Sequence, residues 1–148
     1  MQRFVKGILL FVFCSVPLTA AQARDTEHHF PIAEAMNTAS AQDKLDGSVK
    51  FYFSGQKTPK VKTKLRDATT NKKTNAFNKS DKDACDWAFL SAMVQLQDKA
   101  KELEADAVIN IQSYYKKDAF KSDTEYECHA GGLLAGVALK GEFVKLAK

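Results

Sequence analysis

The sequence predicts an α+β fold, a small antiparallel sheet with one long helix packed on one face. Three observations carry this. From Asp81 to about Leu103 the apolar residues recur at steps of three and four, the period of an amphipathic helix. Around residue 50, and again after residue 106, apolar and polar residues alternate at the period of a strand. The links between those later segments are short, which favours antiparallel neighbours.

At 148 residues, with 45% hydrophobic and 27% charged residues, the chain has the size and composition of one globular domain. Its first stretch reads differently. Arg3 and Lys6 precede an apolar run, Gly7 to Val16, that is too short to span a bilayer, and Ala21-Gln22-Ala23 offers a small-x-small cleavage pattern. Residues 1–23 are therefore read as a secretory signal peptide, and residues 24–148 as a single α+β domain whose first part, 24–45, carries a short helix. Phe13 before Cys14 does not fit a lipoprotein leader, so no lipid anchor is expected. With Arg3 and Lys6 gone, 20 basic residues face 18 acids, a net charge of +2 in place of +4. The expected location is periplasmic or secreted. Cys85 and Cys128 are then the two remaining cysteines, in an oxidising compartment, and they allow one pairing.

Taken in order, the mature chain opens on polar residues, and Pro31 stands where a helix can begin. Ile32, Ala35, Met36 and Ala39 continue at helical spacing until Asp46-Gly47, a turn signal. Val49, Phe51 and Phe53 form the apolar face of a strand. After Pro59, Lys60, Lys62, Lys64 and Arg66 alternate with Val61, Thr63 and Leu65, which at period two puts four cations on one face. This ladder has two readings: an edge strand protected against edge-to-edge association, or a contact surface for an envelope polyanion. Asn71 to Lys79 reads as a polar loop. Ser80 is the expected N-cap of the long helix, with Asp83 in the capping-box position.

On that helix Cys85, Phe89, Ala92, Met93, Leu96, Ala100 and Leu103 make the stripe that faces the sheet, while Trp87, Leu90 and Val94 lie roughly opposite. An apolar patch built on a tryptophan marks a contact, either with the segment Ile32 to Met36 or with a second copy or another protein. Glu104 occupies a place that suits a left-handed helix terminator. Ala107 to Tyr114 follows as a strand with Ile109 and Ile111 on one side and Val108 and Asn110 on the other. Thr124 to Cys128 is a strand with Tyr126 and Cys128 on the same face. Leu133 to Leu146 is a long apolar final strand.

No phosphate-binding loop and no Ser/His/Asp arrangement occurs in the sequence, so neither enzymatic activity nor a cofactor is expected. Adjacent His28 and His29 beside Asp25 and Glu27 are the candidate metal ligands. Tyr114-Tyr115-Lys116-Lys117 mixes aromatics and cations but reads as a strand end, and nucleic acid is not an expected partner of an exported chain.

The run NKKTNAFNKSDKDACDWAFLSAMVQLQDKAKELEADAVINIQSYYKK, continued by TEYECHAGG and AGVALKGEFVKL, resembles a group of small exported proteobacterial proteins that often carry the label of an excinuclease ATPase subunit. The resemblance spans Leu45 to Leu146. More distantly, the order of cysteine, helix, Ala-Asp-Ala-Val strand, cysteine-bearing strand and small-residue-rich last strand is similar to two other groups. One is the sensor domain of the Rcs envelope-stress lipoprotein, and the other is the small ring-forming domains called heavy-metal-binding. These likenesses imply an α+β fold with a helix-to-strand disulfide. The function expected is a non-enzymatic binding or sensing module of the cell envelope, with an anionic ligand, or alternatively a metal-binding or metal-stress protein.

Overall fold

The computed structural model describes residues 23–148. The expected signal peptide, apart from Ala23, lies outside the described residues, as does Cys14. The chain runs β1 (Thr26–Pro31), α1 (Ile32–Met36), α2 (Ala39–Lys44), β2 (Lys50–Phe53), β3 (Val61–Asn75), α3 (Asp81–Glu102), β4 (Ala107–Ser113), a short 3-10 turn, β5 (Glu125–Ala130) and β6 (Leu134–Leu146).

The last strand is the axis of the six-stranded sheet. Along one edge β6 pairs antiparallel with the whole of β3. Along its other edge it pairs with β4 toward its C-terminal end and with β5 toward its N-terminal end. β1 then extends β5, and β2 extends β4. The sheet is thus an α+β arrangement as expected, but not purely antiparallel: β2 and β4 run parallel, Lys50 beside Ala107 and Phe51 beside Val108. The physical reason is the long connection between them, through β3 and α3, which allows the crossover a parallel pair needs. Gly141 sits where β4 presses on β6. A Cβ there would lie 2.7 Å from Val108 Cγ1, so the close approach requires glycine.

The long helix forms where its spacing predicts. Ser80 Oγ accepts the Asp83 N–H at 3.0 Å, and Asp81 and Asp83 sit favourably at the positive end of the helix dipole. Leu103 caps the other end, and Glu104 follows at φ 53°, the left-handed conformation anticipated for it. Cys85, Phe89, Ala92, Met93, Leu96 and Ala100 are buried against the sheet in one cluster with Val108, Ile111, Val137, Leu139 and Phe143. Cys85 is bonded to Cys128 of β5, Cα to Cα 5.8 Å, with both residues fully buried. One turn along, the Phe89 ring stacks on Tyr126 of β5 at 4.3 Å and lies 6.2 Å from Phe53 of β2. The Tyr126 hydroxyl donates to Asp86 Oδ1 at 2.6 Å, and burial together with that carboxylate raises its pKa far above the ordinary phenol value.

Five further expectations are corrected. Residues 26–31 are not a polar tail but strand β1, and the helix after Pro31 is two short helices, because the Thr38 hydroxyl caps a second start by accepting from Ala41 N–H at 3.2 Å. Asn71 to Asn75 are not loop: β3 continues through them, pairing Lys72 with Val137 and Thr74 with Ala135. Ile109 and Ile111 do not share a side. Asn110 has φ 51° and the β4–β6 register shifts there, so Ile111 joins the helix-side core while Ile109 joins Ala107 and Val144 on the other face. The cation ladder is broken by two register shifts in β3, one between Val61 and Thr63 and one between Lys64 and Arg66. Lys64 pairs across from Val144, whereas Arg66 pairs across from Phe143, whose ring belongs to the helix-side core. Lys64 and Arg66 therefore stand on opposite faces.

Candidate functional site

β1 and β5 pair so that His29 lies opposite Glu127 and Glu27 opposite His129. Alternation along a strand puts Tyr126 and Cys128 toward α3, and hence Glu127 and His129 on the other face. His28 and Phe30 likewise face the helix side, where Phe30 lies beside Tyr126 and His28 Nε2 is 2.9 Å from Asp81 Oδ2. The second face of this strand pair therefore gathers Glu27, His29, Glu127 and His129, with Asp25 at its margin.

The geometry of this group is close. His29 Nε2 is 3.1 Å from Glu27 Oε1, and His129 Nε2 is 3.0 Å from Glu127 Oε1. One ligand atom from each of Glu27, His29 and Glu127 falls within 4.8 Å of the other two. Both imidazoles are backed by rings: Phe120 stacks on His29 at 4.2 Å, and Tyr115 stacks on His129 at 3.6 Å. The connection between β4 and β5, which supplies both rings, is thus the wall of the site. Its anchor is the pairing of Phe120 with Ser113. His129 Nδ1 is buried and lies 3.3 Å from Asp25 Oδ1, an ion-pair distance, but the alignment makes no hydrogen bond. Burial pushes the Asp25 carboxyl up, yet the neighbouring Lys116 and His129 outweigh it and hold it below the ordinary carboxylate range.

Comparison with protein-family models, curated proteins and solved structures finds no match to this chain. The site is accordingly read from its own chemistry.

The structure separates the metal pair expected from sequence. His28 and His29 point to opposite faces of β1, so they cannot hold one ion together. His28 instead joins Arg24 on Asp81 at the start of α3, where the guanidinium's hydrogen bonds hold the Asp81 carboxyl below its ordinary value. His29 keeps Glu27, as the sequence places them, and gains Glu127 from about 100 residues away. A signal for this was present: Glu27-His28-His29 and Glu127-Cys128-His129 are the same Glu-x-His pattern, and antiparallel pairing of two such strands sets each glutamate opposite the other strand's histidine.

The other candidate residues fall apart. Lys60 lies just before β3, Lys62 and Lys64 are exposed, and Lys64 Nζ is held by Asp67 at 2.9 Å and Glu142 at 3.1 Å. Arg66 borders a groove between β3 and α3 whose other walls include Asp98, Lys99 and Glu102. Of the three patch residues on α3, Leu90 is only 3% exposed and Val94 is half-buried, while Trp87 remains 43% exposed. Ile32 and Ala35 of α1 are buried in the core cluster, and Thr38 and Ser40 line a shallow pocket with Trp87 and Leu90. Gln97 clamps the end of this N-terminal segment: its amide donates to Lys44 O at 3.0 Å and its carbonyl accepts from Asp46 N–H at 3.1 Å. The chain's own N-terminal segment thus covers most of that face.

Proposed function

We propose that this chain works outside the cytoplasm, in the periplasm or beyond, as a non-enzymatic module that binds or senses a ligand of the cell envelope. The observation that carries the reading is the Cys85–Cys128 bond, which ties the central helix to β5 inside the core. Cytosolic thiols of this kind stay reduced, whereas a small exported domain gains stability from such a staple. The leader pattern of residues 1–23 and the resemblance to small exported proteobacterial proteins support the same compartment. Among the described residues no helix is long and apolar enough to cross a membrane.

The test is non-reducing peptide mapping of protein recovered from the periplasmic or secreted fraction. The expected result is one cross-linked peptide pair containing Cys85 and Cys128. Two alkylatable thiols in freshly isolated protein end the reading.

An anionic ligand on β3 has little geometric support, since Lys64 is already paired and Arg66 faces away from it. Edge protection is the better-supported role for these residues, because among the described residues β3 pairs only with β6, along one edge. Replacing Lys60, Lys62, Lys64 and Arg66 by Gln is expected to leave association with anionic phospholipid vesicles unchanged at low ionic strength, where screening is weakest. A clear drop in vesicle association restores the polyanion reading. Metal binding is the second reading, and the Glu27, His29 and Glu127 group favours it.

A further inference from the structure

We propose that the outer face of β1 and β5 takes one divalent transition-metal ion of the zinc class, ligated by the carboxylates of Glu27 and Glu127 and by His29 Nε2. This rests on the metal-binding reading and gives it a seat. His129 acts as a positioning residue: its Nε2–H donates to Glu127 Oε1 and leaves the other carboxylate oxygen for the metal.

Three observations converge on this face. First, the ligand atoms are within 4.8 Å of one another. Three ligands about 2.1 Å from a shared tetrahedral ion stand roughly 3.4 Å apart, so closure takes only small rotations of two long glutamate side chains. Second, the group carries unbalanced charge. Among the described residues neither Glu27 nor Glu127 has a lysine or arginine within ion-pair distance, and their charged-pair partners are imidazoles. The Glu127 side chain is only 11% exposed, a place where a carboxylate needs a compensating cation. Third, Phe120 and Tyr115 lie flat on the two imidazoles, which restricts ring orientation before any ion arrives.

The donor set selects the ion. One imidazole and two carboxylates suit a borderline cation such as zinc. They are too few oxygens for calcium and offer no sulfur for copper(I). Three protein ligands leave a fourth position to water or to a ligand of the module. Because the ligands come from both strands, the ion joins β1, an edge strand, to the rest of the sheet.

The experiment is a calorimetric titration of the mature, disulfide-bonded protein, stripped with chelator, with zinc chloride alone, together with the thermal midpoint with and without zinc. The expected result is one saturable site in the micromolar range or tighter and a midpoint that rises with zinc. His29→Ala and Glu127→Gln each weaken binding by at least about tenfold, His129→Ala by about tenfold, and His28→Ala, on the opposite face, leaves it unchanged. Circular dichroism of each apo variant separates lost ligation from lost folding, and His29→Asn repeats the test with a smaller packing change. No saturable zinc binding by the unmutated protein overturns both the site and the metal reading. Zinc binding that survives His29→Ala and Glu127→Gln, or that falls equally with His28→Ala, overturns this site and leaves the metal reading standing. Neither outcome touches the extracytoplasmic assignment, which the peptide map decides.

Discussion

Replacing Cys85 and Cys128 together by alanine is expected to lower the unfolding free energy by about 4 kcal/mol, as read from urea denaturation beside the oxidised protein. The bond closes a loop with a sequence separation of 43, and the chain-entropy relation gives about 4 kcal/mol for a loop of that length. A domain of this size has a total stability of roughly 5–15 kcal/mol, so the variant stands near the limit of folding at 37 °C. Both cysteines are fully buried, so a reductant meets the bond only in molecules that have already opened. Dithiothreitol should therefore act slowly on the native protein and quickly in urea. A double variant within about 1 kcal/mol of the parent refutes this account of the stability.

Phe89→Ala is the second large effect, expected at about 4 kcal/mol by the same measurement, within the range for emptying an aromatic core position. The site has little room to collapse. β4 and β5 share one edge of β6 end to end, and Phe89 reaches both wings, stacking on Tyr126 of the β5 wing and lying 6.2 Å from Phe53 of the β2–β4 wing. Deleting the ring removes a filler common to both, next to the disulfide. Phe89→Leu keeps much of the volume and should lose well under half as much. Equal losses for the two variants mean that ring stacking, not filled space, is what the helix contributes at this position.

The features legible in the sequence are those set by local physics. The extent of α3, its Ser80 cap and its left-handed exit at Glu104 follow from spacing, a hydroxyl and a helix end, all within a few residues. The face shared by Tyr126 and Cys128, and the apolar length of β6, follow from alternation and composition. β1 was hidden because it has little apolar contrast between its faces: His28 points to the half-buried Asp81 at the start of α3 and His29 to a polar cluster. Its partner strand is also about 100 residues away. The C-terminal third of β3 was hidden for a related reason, since its polar residues take their order from an apolar neighbour, β6, rather than from each other. Bulges at Asn110 and near Leu65 shift parity by one residue, and a shift of one moves every later side chain to the opposite face. That single mechanism misplaced Ile109 and dispersed the cation ladder. The metal group was half legible, with Glu27 and His29 in view and Glu127 supplied by pairing.

Because β6 is the shared neighbour of β3, β4 and β5, the order of chain emergence acquires a meaning. A polypeptide delivered from its N-terminal end can form α3 early, and can pair β2 with β4 and β1 with β5. The two wings, however, have no strand in common until residues 134–146 have arrived. Native contacts then close over long stretches of sequence in one late step, which is the topology of a slow folder.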